Sequence, residues 1–345
     1  MNFHDWMRSA LYDPVHGYYC RTDWARQGRT GDYRTAPETS PLFGATFARF
    51  FKLLFGELRS PKRWTICEVG AGNGDFAFDV LSTLQNCCPL VSDATRWVID
   101  EVSPHTRARA SARLALFDDR IEFQSLTQLQ EPFTSGIIFS NELIDAFPVH
   151  RVACRSGELR ELCVGLKNDS FVWTECDLNP AVGDYCRRFG SQLVEGQIIE
   201  VNLEAEEFIS RAAASLKEGF VITIDYGAAR EDLLNARHRY EGTLRAFRNH
   251  QPVDDVLSHP GEQDLTTTVD WTQIREAGER VGLKTIRHGR LDQFLLNEGL
   301  LEQLQTCTSE LPESEALRLR TSAREMIMPH GLAASFQVLI QQKTA

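Results

Sequence analysis

The chain has little that would hold a metal or a disulfide framework. Its nine cysteines are scattered, only Cys87 and Cys88 are adjacent, and no CxxC pair occurs. Thiols at these spacings do not make a zinc site, and an odd count of isolated cysteines points to reduced side chains. Basic residues are also in deficit: 37 Lys and Arg stand against 48 Asp and Glu, a formal net charge of −11. Binding a phosphate backbone needs a basic face, so the balance argues against nucleic acid as the partner. No apolar run approaches the roughly 20 residues of a membrane span. The N-terminus MNFHDWMRSA lacks the apolar core of a secretory signal and carries acid, unlike a transit peptide. From these absences a soluble, cytoplasmic protein without a metal is expected.

What is present is an α/β pattern, preceded by a different region. Residues 1–61 read as an N-terminal cap: a short helix with Phe3, Met7, Ala10 and Leu11 on one face, a turn-rich stretch, then a helix striped by Phe43, Phe47, Phe50, Phe51 and Leu54. That stripe reads as core. Strands are predicted at Trp64–Val69, Arg96–Glu101, Ile121–Gln124, Ser135–Ser140 and Phe220–Asp225, with helices between them. Later strands are predicted at Leu283–His288 and Ala334–Gln341, giving a mostly parallel seven-stranded sheet. Residues 152–202 interrupt the rhythm with a hairpin turning at Lys167-Asn168-Asp169, and read as an inserted substrate or lid module. The core is then expected in residues 62–151 and 203–345.

The chemistry centres on Glu68–Gly74, which reads EVGAGNG and follows the first strand. Glycines at alternate positions let the backbone turn tightly and approach a ligand where a Cβ would collide. A dinucleotide fingerprint would need Gly or Ala at the position of Asp75 and a ribose-binding acid about 20 residues further on. Instead Asp75 would repel a pyrophosphate, and the next strand-terminal acid is the more distant Glu101. S-adenosylmethionine, with a positive sulfonium and a zwitterionic end, suits Glu68, Gly70, Gly72 and Gly74, with Glu101 accepting from the ribose hydroxyls. After the fourth strand, Asn141, Glu142 and Asp145 offer a carbonyl and two carboxylates to a methyl acceptor. Two carboxylates can hold a guanidinium and compensate its charge. His150 reads as structural.

With these blocks in view, the chain resembles the MidA family of class I S-adenosylmethionine-dependent methyltransferases. The likeness spans nearly the whole chain. It rests on LYDPVHGYY (Leu11 to Tyr19), GDYRTAPETSPLFG (Gly31 to Gly44), EVGAGNGDFAFDVL (Glu68 to Leu81) and EVSP (Glu101 to Pro104). It continues through SNELIDAFPVHR (Ser140 to Arg151), IDYG (Ile224 to Gly227), GTLRAFRNH (Gly242 to His250) and GEQDLTTTVDW (Gly261 to Trp271). The family includes a mitochondrial arginine methyltransferase that assists assembly of respiratory complex I. The resemblance therefore implies methylation of arginine in a protein substrate, one that could belong to a respiratory complex. It also implies a Rossmann-like fold and a cap loop that brings Thr35, Pro37 and Glu38 to the cofactor beside Asn141. A homodimer is a compatible assembly. Two positions depart from the family: Ala71 stands where Pro is usual, and a tyrosine usual in the second strand is replaced around Trp97. Neither changes a ligand-bearing group. A small-molecule methyltransferase, or an assembly factor that keeps the fold without catalysis, are the alternatives.

Overall fold

The computed structural model describes residues 1–21, 40–188, 193–249, 251–309, 311–328 and 332–345, with the side chain of Leu332 left aside. Thr35, Pro37 and Glu38 lie outside the described residues, as does most of the cap loop that contains them. The chain forms two compact units.

One unit comprises Arg34–Leu143, Ile209–Tyr226 and Arg275–Ala345. Its strands are β1 (Trp64–Val69), β2 (Thr95–Asp100), β3 (Ile121–Phe123), β4 (Phe133–Asn141), β5 (Leu216–Ala228), β6 (Lys284–Arg290) and β7 (Phe336–Lys343). They are ordered β6-β7-β5-β4-β1-β2-β3. All neighbouring pairs are parallel except those made by β7, which runs antiparallel to both β5 and β6. This is the mostly parallel, Rossmann-like α/β sheet expected of class I methyltransferases. The last two residues of β5, Gly227 and Ala228, fall in the other unit, where they pair with Val269 and Asp270.

One face of this sheet, carrying Ile66, Trp97, Ile99, Ile137, Phe139, Ile222 and Ile340, is packed by two helices, Pro41–Glu57 and Asp75–Cys87. Phe43, Phe47 and Phe51 are fully buried there, and Phe76 stacks on Phe139 at 4.2 Å between ring centroids. The aromatic stripe is core, as its spacing implies. Ser40 caps the first of these helices and Pro41 occupies its first turn, where the missing N–H costs nothing.

The other unit comprises Met1–Tyr33, Ile144–Phe208 and Gly227–Ile274. It contains a four-stranded antiparallel sheet ordered Ser170–Cys176, Glu158–Lys167, His150–Arg155, Ile198–Val201. The turn at Asn168 and Asp169 has φ of 50° and 60°, the two-residue hairpin geometry that Asn and Asp tolerate. The helix Phe3–Tyr12 buries Phe3, Trp6, Met7, Ala10 and Leu11 in a cluster with Val149, Val164 and Leu265. His150 is buried, bonded through Nδ1 to Glu161 at 2.7 Å and stacked on His4.

Two features depart from what the sequence announces. The segment after IDYG adds strands that were not predicted: Arg245–Arg248 pairs antiparallel with Gln251–Val253 and Asp264–Thr266. These strands are too short, and too rich in Arg, Asp and Thr, to announce themselves by alternation. Nor are all thiols reduced. Cys163 and Cys176, on adjacent strands with Cα atoms 6.2 Å apart, form a disulfide. Their sequence separation of 13 matches no motif, because the pairing is made by the hairpin. Closing a loop of this length contributes about 3 kcal/mol on the chain-entropy account. Cys163→Ser is therefore expected to lower the urea midpoint, and to make it insensitive to reductant, whereas the wild-type midpoint falls on reduction.

Candidate active site

The strand register lines up three strand ends. Val69 pairs with Asp100 on one side and Ser140 on the other, so the glycine turn, Glu101 and Asn141 all leave the same carboxyl edge of the sheet. In open α/β sheets that edge is where ligands bind.

The turn itself needs its glycines. Gly70, Gly72 and Gly74 have φ of 72°, 56° and 79°, the left-handed region that L side chains avoid. A Cβ on Gly70 would come 2.9 Å from Leu143 Cδ1. Gly74 caps the helix Asp75–Cys87, and Asp75 in its first turn sits 3.0 Å from the Arg113 guanidinium. An acid there complements the helix dipole and stands where a dinucleotide would need none.

Glu101 is held in advance. Its Oε2 accepts the Gly72 amide at 3.1 Å and its Oε1 the Ser103 amide at 2.9 Å, and it is buried. Ser103 in turn caps the helix Pro104–Arg113, and the Arg107 guanidinium donates to the Glu101 carbonyl. This clamp was legible only as Ser-Pro, a helix-start signal.

Glu68 is buried, and the Trp97 indole donates to its Oε2 at 3.2 Å. Burial pushes its carboxyl up to about 8, with the Trp97 bond pulling the other way and Glu101 and Asp75 adding to the rise. Trp97, noted in the sequence only as a departure from the family pattern, is thus the residue that fixes this acid.

At the end of β4, the Asn141 Nδ2 donates to Glu142 Oε1 at 3.1 Å. The Asn141 Oδ1 is buried and has no hydrogen-bond partner among the described residues. Glu142 has φ of 53°, and its amide donates to the Ile224 carbonyl on β5 at 2.9 Å. A non-glycine residue held there costs roughly 1–3 kcal/mol and persists only when its surroundings impose it. Sequence gave no hint of this, since Glu has no preference for the region.

Asp145 belongs to the other unit and is described by its surroundings there. It is buried in the short turn Ile144–Ala146, and its carbonyl accepts the Thr267 amide at 2.9 Å. In the same unit a cavity of ≈ 770 Å³ is lined by Arg151, Leu162, Trp173, Leu244, Arg245 and Val256. Among the described residues no His, Cys, Asp and Glu group could hold a metal ion, and no helix is long and apolar enough to cross a membrane.

The sheet order, the glycine turn and the pinned acid on the next strand define a class I S-adenosylmethionine-dependent methyltransferase. A family model for S-adenosyl-L-methionine-dependent methyltransferases matches residues 44–289, and the chain belongs to that family. The protein is 26% identical to the mitochondrial protein arginine methyltransferase NDUFAF7 homolog of Drosophila melanogaster, over 97% of this chain and 80% of that one. It is 25% identical to mitochondrial protein arginine methyltransferase NDUFAF7 of Danio rerio, over 99% of this chain and 83% of that one. Among solved structures, a COG1565 superfamily member from Burkholderia thailandensis bound to S-adenosyl-homocysteine superposes with a TM-score of 0.87 at 28% identity, covering 99% of this chain and 88% of that one. The resemblance drawn from the sequence blocks holds, and with it the cofactor. The cytoplasmic location does not: these curated relatives are named as mitochondrial proteins.

Proposed function

We propose that this enzyme methylates the guanidinium of arginine in a protein substrate. The observation that carries this is the strained Asn141–Glu142 pair at the end of β4, in a chain that matches protein arginine methyltransferases along nearly its whole length. Glu68, the three glycines, Glu101 and the Asn141 carbonyl hold the cofactor, and by family likeness Thr35, Pro37 and Glu38 cover it. The orphaned Asn141 Oδ1 and the raised Glu68 carboxyl both suit a ligand with a cationic end. S-adenosyl-L-methionine supplies the electrophilic methyl group. Glu142 and Asp145 orient the acceptor guanidinium, and one of these carboxylates takes the proton that leaves the nitrogen as it is methylated. Residues 152–202 serve as the substrate module, and the cavity they share with residues 238–268 takes a peptide segment. A respiratory-complex subunit as substrate, and a homodimer as the working assembly, extend the same reading.

The Glu68 carboxyl gives a pH test. Its folded value, about 8, lies above the ordinary 4.5, so the folded protein keeps a proton that the unfolded chain has lost between those values. Its contribution to stability therefore falls as pH rises from 4.5 toward 8 and changes little above. A cation bound beside Glu68 favours the ionised form. Cofactor binding is expected to release a proton near pH 7 and to tighten as pH rises, by up to about tenfold per pH unit for one proton. Calorimetry in two buffers of different ionisation enthalpy reads that release, and Glu68→Gln should remove it. Equal heats in both buffers with the wild-type protein would rule out this role.

A further inference from the structure

We infer that the ≈ 770 Å³ cavity is a carboxylate site, in which Arg151 and Arg239 receive an acidic side chain of the protein substrate. The inference rests on the arginine reading above and names the kind of segment that the cavity takes. Every residue it uses lies in one unit.

One wall of the cavity is a row of the four-stranded antiparallel sheet. Glu200, Arg151, Leu162 and Glu175 are register partners across the four strands, so their side chains share a face, and Trp173 joins them two residues along its strand. Arg151 is 8% exposed and is held from three directions. Its Nε donates to Glu200 Oε1 at 3.1 Å and its Nη2 to the Glu241 carbonyl at 2.7 Å. Its guanidinium carbon lies 4.8 Å from the centroid of the Trp173 ring. The third nitrogen, Nη1, has no partner among the described residues, and Arg151 lines the cavity.

Glu200 also fixes the facing loop. Its Oε2 accepts the Thr243 amide at 2.7 Å and the Thr243 hydroxyl at 3.0 Å, and a Cβ on Gly242 would collide with the same carboxylate. From this side of the cavity comes Arg239, half-buried, whose guanidinium has no partner among the described residues. The lining acids do not answer these donors: Glu175 is engaged by Arg155 at 2.9 Å, and Glu241 and Asp254 are exposed, where water and salt screen them. A buried guanidinium nitrogen without an acceptor costs free energy that a ligand recovers, and a carboxylate makes the stronger, charge-assisted bond. Arg151 offers a rigid donor and Arg239 an uncommitted one. Both select the substrate, and Glu200 is the positioning residue that acts through Arg151.

The test uses a lysate of cells lacking the protein as acceptor, with tritiated S-adenosyl-L-methionine. Half of the lysate protein first has its carboxylates converted to neutral amides with carbodiimide and glycinamide. The wild-type enzyme is expected to label arginine in the intact half about tenfold more efficiently, mostly through KM. Arg239→Gln and Arg151→Lys should each bring that preference down to about twofold or less, with affinity for S-adenosyl-homocysteine unchanged. Arg239→Gln decides the matter if Arg151→Lys folds poorly, since its side chain has no partner to lose. Equal labelling of both halves by the wild-type enzyme, or an undiminished preference in Arg239→Gln, overturns the inference and leaves the arginine reading standing. No labelled arginine in the intact half with the wild-type enzyme overturns both.

Discussion

Gly72→Val is expected to abolish measurable cofactor binding. At φ of 56° a β-branched residue is strained, and relaxing it swings away the amide that donates to Glu101 Oε2. Two losses then combine: backbone strain of about 1–3 kcal/mol and a Glu101 carboxylate no longer held for its ligand. Together they predict a loss of affinity of at least about 100-fold for S-adenosyl-homocysteine by calorimetry. The fold should persist, because the buried face of the sheet and its two helices do not include Gly72. Binding within a few-fold of wild type would mean that the cofactor is not cradled by this turn.

Glu142→Gln should lower kcat by about 1,000-fold, in the range expected when a general base or charged anchor is removed. Affinity for S-adenosyl-homocysteine should change little, which separates a role at the acceptor from one at the donor. Glu142→Gly is the companion. Glycine relieves the strained φ, so its unfolding midpoint should equal or exceed that of Glu142→Gln while activity stays lost. An active glycine variant would show that the backbone turn matters and the carboxylate does not.

Local signals carried the sheet. β1 was legible residue for residue because an apolar run ends in alternate glycines, and the buried phenylalanines of Pro41–Glu57 follow helical spacing. The Glu68 and Glu101 positions were legible as acids at strand ends. Their holding groups were not: the Trp97 indole and the Gly72 and Ser103 amides reach them through strand pairing and turn geometry, which no spacing encodes. The Cys163–Cys176 bond and the strained φ of Glu142 were hidden for the same reason, each being imposed from a neighbouring strand. Asp264 stood in a recognisable block, GEQDLTTTVDW, but the hydrogen bond its carboxylate accepts from the Tyr19 hydroxyl at 2.7 Å spans 245 residues and appears only once the unit is folded.

The central claim is methyl transfer to arginine in a protein. Mass spectrometry of arginine methylation in cells with the wild-type protein, with Glu142→Gln and without the protein tests it most directly. The account predicts one or more methylarginine sites present with the wild-type enzyme and missing in both other samples. Unchanged arginine methylation across all three, with a labelled small molecule in the wild-type extract instead, would contradict it.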